Sequence, residues 1–434
     1  MIAIILIYNL LAYLTFPLLF PFFYFRRLLK GKPMPPFRKR LAWNLPPAPP
    51  PGRPAIWIHA VSVGEVQVVA PLVTELERHH PQFLIYLSTT TATGQATAAK
   101  TFGERVFLFY CPFDLLGAVG RTLRRIRPRH LIIAETEIWP NLLWLAKQHR
   151  LSVSIINGRI SDQAYPRYRF IRPFMTPVLK LPDHYLVQSE EDATRFRDLG
   201  APDERVHVIG NLKFDSLGQI RPDHHLADAL RGLFGEGLSN LLLCGSTMEG
   251  EEEILARIFL SLRSMFPGLR LLVAPRHPER FNRAAEAFQA ENTRVCLRSA
   301  WPDTPPSTPV DVIILDTMGE LSSLYHTADV VFIGGTLVPT GGHNILEPAA
   351  AGKPILVGPS MENFRAILAQ FQQQNAIIQV NDPDGLAAAL TDLLQDRNRA
   401  REMGRRARET ISRHRGATRR TIRRIIDDGA AVEP

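Results

Sequence analysis

The chain has 434 residues, 45% of them apolar and 21% charged, with a formal charge of +9. That length exceeds one ordinary core and predicts two domains of roughly 200 residues each, and the composition excludes a fibrous or largely disordered protein. The positive balance calls for an anionic partner, a requirement that nucleic acid, anionic lipid and a phosphorylated substrate all meet.

Residues 1–25 contain no charged side chain, and the basic run "RRLLKGKPMPPFRKR" follows at once. A helix of that length covers a bilayer core of about 30 Å. A cleaved signal would have a basic start and a small-residue cleavage site, and neither is present. An uncleaved N-terminal membrane anchor is therefore expected, with its basic flank holding the rest of the chain in the cytoplasm. Pro17 and Pro21 interrupt the helical ladder, which leaves an anchor lying in the membrane plane open beside a spanning one. The stretch "NLPPAPPPGRP" then closes a basic and Pro-rich linker over 26–54.

From there, short apolar runs alternate with helix-like segments, the pattern of a parallel sheet covered on both faces. Strands are predicted at Ile56–Val61, Leu84–Ser88, Val106–Phe109, Leu131–Ala134, Val153–Ile156, Tyr185–Val187 and Val206–Ile209. The turn-rich stretch Lys213–His225 is expected to connect two domains, 55–215 and 226–434. A second series follows at Leu241–Cys244, Leu269–Ala274, Val310–Leu315, Val330–Ile333, Ile355–Val357 and Ile377–Val380. The fold class is α/β, with two tandem Rossmann-like doubly wound domains. Such sheets bind ligands beyond the carboxyl ends of their strands, so a cleft between the domains is expected to hold the chemistry. The Arg-rich block 397–424 reads either as a solvated helix face or as an anion-binding surface.

Cys111, Cys244 and Cys296 are isolated, which indicates neither a disulfide framework nor a zinc site. No dinucleotide fingerprint, P-loop or His cluster with metal spacing occurs. What stands out is a set of polar tips after predicted strands. In "HAVSVGE" the first carboxylate of the chain, Glu65, follows Gly64 where a strand turns into a helix; the helix N-terminus favours the ionised form that a base needs. In "AETEIWPNLL", Glu135 and Glu137 face the same way if the strand continues, and are either helix caps or site groups. Lys213 in "VIGNLKFD" is placed to meet developing negative charge. Arg276 in "LLVAPRHPERF" sits at a helix start, a recurring phosphate arrangement. In "GGTLVPTGGHNILEPAAAGKP", glycines admit close backbone approach, the helix near His343 and Asn344 offers N–H groups to phosphate, and Glu347 can accept from sugar hydroxyls.

This last composite resembles the donor-binding half of GT-B glycosyltransferases. Taken together, "HAVSVGE", "TTTATGQ", "AETEIWPN", "GNLKFD", "EGEEE", "APRHPERF", "DTMGELSSLY" and "GGHNILEPAA" resemble the 3-deoxy-D-manno-octulosonate (Kdo) transferases of lipopolysaccharide synthesis, in order from the N-terminus to about residue 390. The resemblance implies an inverting transfer of Kdo from CMP-Kdo to a lipid A precursor (lipid IVA), at the cytoplasmic face of the inner membrane and its anionic lipids. Neither metal nor other cofactor is implied, and no nucleic acid. It makes Glu65 the general base, and Glu135 and Lys213 transition-state stabilisers. Contacts to CMP fall to Pro275 and Arg276, to Met318, Gly319 and Glu320, and to Asn344, Ile345, Leu346 and Glu347. Ile345 and Pro348 are mild departures that replace nothing chemically essential. A GT-B protein acting on UDP-sugars, and a membrane-anchored protein that only binds anionic lipid, are the alternatives.

Overall fold

The computed structural model of the protein describes residues 1–29, 35–217, 223–235, 238–301 and 309–427. Residues 30–34 of the expected basic run and 218–222 of the expected connection lie outside them. Two compact units emerge: Met1–Ser216 together with the segment from His414 onward, and Leu217–Arg413.

The first unit is built on seven parallel strands: β1 (Ala55–His59), β2 (Leu84–Thr89), β3 (Phe107–Tyr110), β4 (Pro128–Ala134), β5 (Ser152–Gly158), β6 (His184–Val187) and β7 (Val206–Val208). They lie in the order β3-β2-β1-β4-β5-β6-β7. Side chains alternate across this sheet with the strand period of two. Trp57, Leu131, Ile133, Val153 and Ile155 enter the core on one face, while Ile56, Ile58, Ile132 and Ile156 enter that on the other. Both faces are dry, which is why each strand reads as an uninterrupted apolar run. The order reverses direction between β1 and β4, the place where a doubly wound sheet opens a crevice.

The second unit repeats the design with β8 (Asn240–Thr247), β9 (Leu269–Pro275), β10 (Val295–Leu297), β11 (Val312–Ile314), β12 (Val330–Ile333), β13 (Ile355–Val357) and β14 (Ile378–Gln379). Their order is β10-β11-β9-β8-β12-β13-β14, so the reversal falls between β8 and β12. Every predicted strand is present; β10 was not predicted, being a three-residue edge strand with only half-buried side chains.

Two expectations are corrected. No helix among the described residues is long and apolar enough to cross a membrane. The N-terminal residues do form one helix, Ile2–Leu29, which runs on through both prolines. Its polar residues explain what it does instead: Asn9 is buried against the domain and exchanges two hydrogen bonds with the Asn141 amide, at 2.7 and 2.9 Å. The Tyr8 hydroxyl donates to Asp114 at 3.0 Å. Leu6, Leu10 and Leu14, four residues apart, remain exposed on another side.

The second correction concerns the chain's end, which the sequence reading assigned to the second domain. The helix Ala417–Ile422 adds Ala417 and Ile422 to the first unit's core, beside Val66, Val69 and Val73. Asp215 fastens the return, since its carboxylate accepts from the Gly416 and Thr418 N–H groups, both at 2.7 Å.

Candidate active site

Glu65 lies in the first turn of the Val63–His79 helix, just beyond β1. Ser62 is the residue before that helix, and Glu65 three residues on bends back in the manner of a capping box. Its carboxylate accepts the Val61 N–H at 2.7 Å and the Ser62 hydroxyl at 3.0 Å. Only 8% of the residue is exposed. Burial pushes its pKa up to about 7; the two hydrogen bonds oppose the rise, and the charges of Glu135 and Glu137 add to it. Desolvation thus outweighs the helix N-terminus that was expected to keep the group fully ionised.

Gly64 makes no packing contact that demands glycine, for an added Cβ would meet only the Ser62 hydroxyl, at 3.9 Å. Gly64→Ala should therefore keep or raise stability, by up to about 1 kcal/mol from helix propensity. If an acceptor approaches Glu65 over this residue, the same change raises the acceptor KM. Thermal melts and acceptor saturation curves separate the two effects, and unaltered saturation would remove that approach route.

Glu135 follows β4, on the other side of the sheet's reversal point. The strand does not continue: Glu135 takes a left-handed φ of 58°, uncommon for a side-chain-bearing residue, while its N–H donates to the Ile156 carbonyl at 2.8 Å. The alternation argument for Glu135 and Glu137 therefore fails, yet both line one cavity of about 320 Å³ with Glu65, Thr136, Arg159 and Tyr168. Burial also raises the pKa of Glu137. Lys213 Nζ stands 3.9 Å from Glu135 Oε1.

The loop that carries Lys213 is held by buried amides. Asn211 Oδ1 accepts the Lys213 N–H, Asn211 Nδ2 donates to Gln188, and Asn157 Oδ1 accepts the Leu212 N–H, at 2.8 to 2.9 Å. Glu65, Glu135 and Lys213 are thus gathered at one end of one sheet. Arg159, the cation of the cavity, went unnoticed in the sequence, where it is one arginine among many.

In the second unit the predicted donor residues sit on loops after β9, β11 and β12. Arg276 follows the end of β9, and its N–H donates to the Thr247 carbonyl at 2.9 Å. Met318 is 70% exposed and Gly319 has a φ of +99°. Glu320 is held by Arg298 through Nε and Nη2, at 3.1 and 2.8 Å; sequence reading missed this arginine.

The helix after the glycines is only five residues, Leu346–Ala350. Its Leu346 N–H is not open to a phosphate, being accepted by Asn344 Oδ1 at 3.0 Å. Asn344 Nδ2 donates to Glu347 Oε1, also at 3.0 Å. Burial raises the Glu347 pKa and this hydrogen bond lowers it. Ile345 and Leu346 bury their side chains, so their backbone alone can face a ligand. Burial holds His343 at about 4, helped by Arg276 and His277, so it is neutral at physiological pH.

Glu251 organises this loop. Fully buried after β8, its carboxylate accepts N–H groups from Met248 (2.9 Å), Gly335 (2.6 Å), Thr336 (3.0 Å) and Leu337 (2.9 Å), spanning the second sheet's reversal point. In the sequence it is one of three glutamates at a helix start, a pattern that signals only the helix dipole.

Residues 36–216 match the family model described as 3-Deoxy-D-manno-octulosonic-acid transferase (kdotransferase), and 308–410 that described as Glycosyl transferases group 1. The chain is 34% identical to the 3-deoxy-D-manno-octulosonic acid transferase of Haemophilus influenzae, over 89% of this chain and 91% of that one. It is 33% identical to that of Bordetella pertussis, over 88% and 89%. Among solved structures it is similar in fold to Anabaena HepE in complex with UDP (TM-score 0.58, 12% identity, 88% and 100% covered). It is also similar to the UDP-GlcNAc 2-epimerase of Neisseria meningitidis (TM-score 0.56, 12% identity, 83% and 99% covered).

Proposed function

We propose, from the premise that the chain belongs to the family of 3-deoxy-D-manno-octulosonic acid transferases, that it transfers Kdo from CMP-Kdo to a lipid A precursor with Glu65 as general base. The observation that carries the catalytic part is the position of Glu65: a buried carboxyl poised near pH 7, in the cavity that Glu135 and Glu137 also line. A sugar hydroxyl is too weak an acid to attack unaided, and a base matched to the working pH removes its proton most effectively. As Glu65 takes that proton, the acceptor oxygen bonds to the anomeric carbon of Kdo. The bond from that carbon to the CMP phosphate oxygen breaks, and CMP leaves with the electron pair. Direct displacement inverts the anomeric configuration. Lys213, oriented by Glu135, opposes charge developing in the transition state.

The second unit holds the donor. Arg276 meets the CMP phosphate, Glu347 accepts from ribose hydroxyls, and Pro275, Met318, Gly319, Glu320 and Asn344, with the backbone of Ile345 and Leu346, complete the contact. No metal is required in this scheme.

The acceptor is a phosphorylated lipid, and the first unit offers a matching surface. Leu6, Leu10 and Leu14 on the N-terminal helix, together with Trp43 and Phe170, are exposed. The basic residues Arg38 and Lys39 are exposed as well. This favours an interfacial helix over a spanning one.

Purified protein, CMP-Kdo and lipid IVA in anionic vesicles test both parts. The expected result is co-flotation of protein with the vesicles and a mass gain of one or more Kdo units on the lipid. Turnover of UDP-sugars in place of CMP-Kdo would overturn the donor assignment, and protein left in the dense fraction would overturn the attachment.

A further inference from the structure

The Arg-rich block 397–424 finds no use in the transfer reaction, and its arginines are not alike. In the Arg397–His414 helix, Arg399 pairs with Asp392, Arg405 and Arg406 with Glu402, and Arg413 with Glu409. Arg397, Arg401 and Arg408 have no carboxylate partner among the described residues. Their spacing of four and seven puts them on one side of the helix. That side packs tightly on the Gly352–Lys353 turn, where the backbone of Gly404 meets that of Gly352 and Arg408 donates to the Ala351 carbonyl at 3.0 Å.

Beside this contact is a cavity of about 170 Å³, lined by Lys353, Arg397, Arg401, Asp329 and Asn240 among others. It opens at the amino ends of β8, β12 and β13. The donor loops lie beyond the carboxyl ends, about 13 Å away along a four-residue strand. Lys353 is half-buried and lines this cavity beside Asp329. Burial accordingly lowers its pKa, and Arg408 lowers it further against the pull of Asp329. Arg397 spends its donors on neutral oxygens, the Ser239 carbonyl (2.9 Å) and Asn240 Oδ1 (3.1 Å). Asp329, the acid of the cavity, accepts the Leu241 N–H at 2.8 Å. Three cations face one carboxylate, a net of two positive charges.

Like charges four residues apart on a helix repel, and the half-buried Lys353 ammonium adds a third positive charge to the same cavity. The cavity is below the roughly 300–1,000 Å³ of pockets for drug-sized molecules, so a nucleotide is too large for it. We propose that this cavity binds a small phosphate-type oxyanion, held by Lys353, Arg397 and Arg401, at a site separate from the one for the donor. The anion would tie the Arg397–His414 helix to the turn that follows Leu346–Ala350, the helix bearing Glu347.

Thermal melting with sodium phosphate, titrated against sodium chloride at equal ionic strength, tests this. The expected result is a saturable rise in Tm that Arg401→Ala abolishes and Lys353→Met weakens at least tenfold in midpoint concentration. Arg276→Ala, in the donor loops, should leave the rise in place. Arg401 is exposed, so its replacement keeps the test valid if the lysine variant does not fold. A rise that survives Arg401→Ala but is lost in Arg276→Ala would assign the phosphate to the donor loops and overturn the proposal. So would the lack of any saturable rise.

Discussion

Glu65→Gln should lower kcat for Kdo transfer by about 100- to 10,000-fold, the usual contribution of a positioned general base, while making the protein more stable. The two effects have one origin. Burial lifts the Glu65 pKa from 4.5 to about 7, so folding opposes ionisation of this carboxyl. For a group whose folded pKa is raised, the stability it contributes is complete below the unfolded value and declines as pH rises through the folded one. Between about pH 4.5 and 7 the wild-type protein therefore loses on the order of 3 kcal/mol that a neutral glutamine does not lose. The stability gain of Glu65→Gln should be small at pH 4.5 and reach its maximum above pH 7, as denaturant melts across that range would record. The wild-type pH–rate profile should rise through about 7 and the residual rate of the variant should not. A variant that keeps wild-type turnover would exclude Glu65 as the base. A stability difference independent of pH would exclude the desolvated carboxyl.

Glu251→Gln should have the opposite effect on stability and weaken the second unit, without touching the substrate. Each carboxylate oxygen accepts two N–H groups: Oε2 those of Met248 and Gly335, Oε1 those of Thr336 and Leu337. An amide of the same size keeps one acceptor and turns an NH₂ towards the other pair of donors. Two buried N–H groups left unsatisfied cost roughly 1–3 kcal/mol each, a total of about 2–6 kcal/mol. The wild-type group meets the opposite difficulty, since burial raises its pKa even against four donors. The loop that Glu251 clamps leads into His343, Asn344 and Glu347, so CMP-Kdo affinity should fall at least tenfold while CMP-Kdo still turns over in the molecules that bind it. Calorimetric binding and urea melts would measure both, and unchanged affinity together with unchanged stability would sink the assignment.

How much of this was legible beforehand depends on whether the cause is local. The strands were, because a parallel sheet dry on both faces must be written as short runs of Val, Ile and Leu, whatever lies around it. The place of Glu65 in the first turn of a helix was, because a glycine and a first acid at a strand-to-helix junction are adjacent in sequence. The left-handed turn at Glu135 was not; it depends on the Ile156 carbonyl, 21 residues away. Glu251 was hidden for the same reason, as three of its four donors lie 84 to 86 residues downstream. The N-terminal helix looked long and apolar enough to span a membrane because hydropathy averages over a face, whereas its docking turns on Asn9 and Tyr8 meeting partners in a different part of the chain. An Arg-rich helix at the end of a chain likewise carries no mark of which core it completes.

That return of the chain's end to the first unit governs when the enzyme comes into being. A fragment ending at Ser216 has all seven strands of the first sheet. It lacks the Ala417–Ile422 helix that packs on Val63–His79, the helix carrying Glu65. During synthesis from the N-terminus Glu65 is therefore seated on an unfinished support until residues 417–422 have been made. Termination anywhere in the second unit leaves the first without this helix, so no such product carries a completed seat for Glu65.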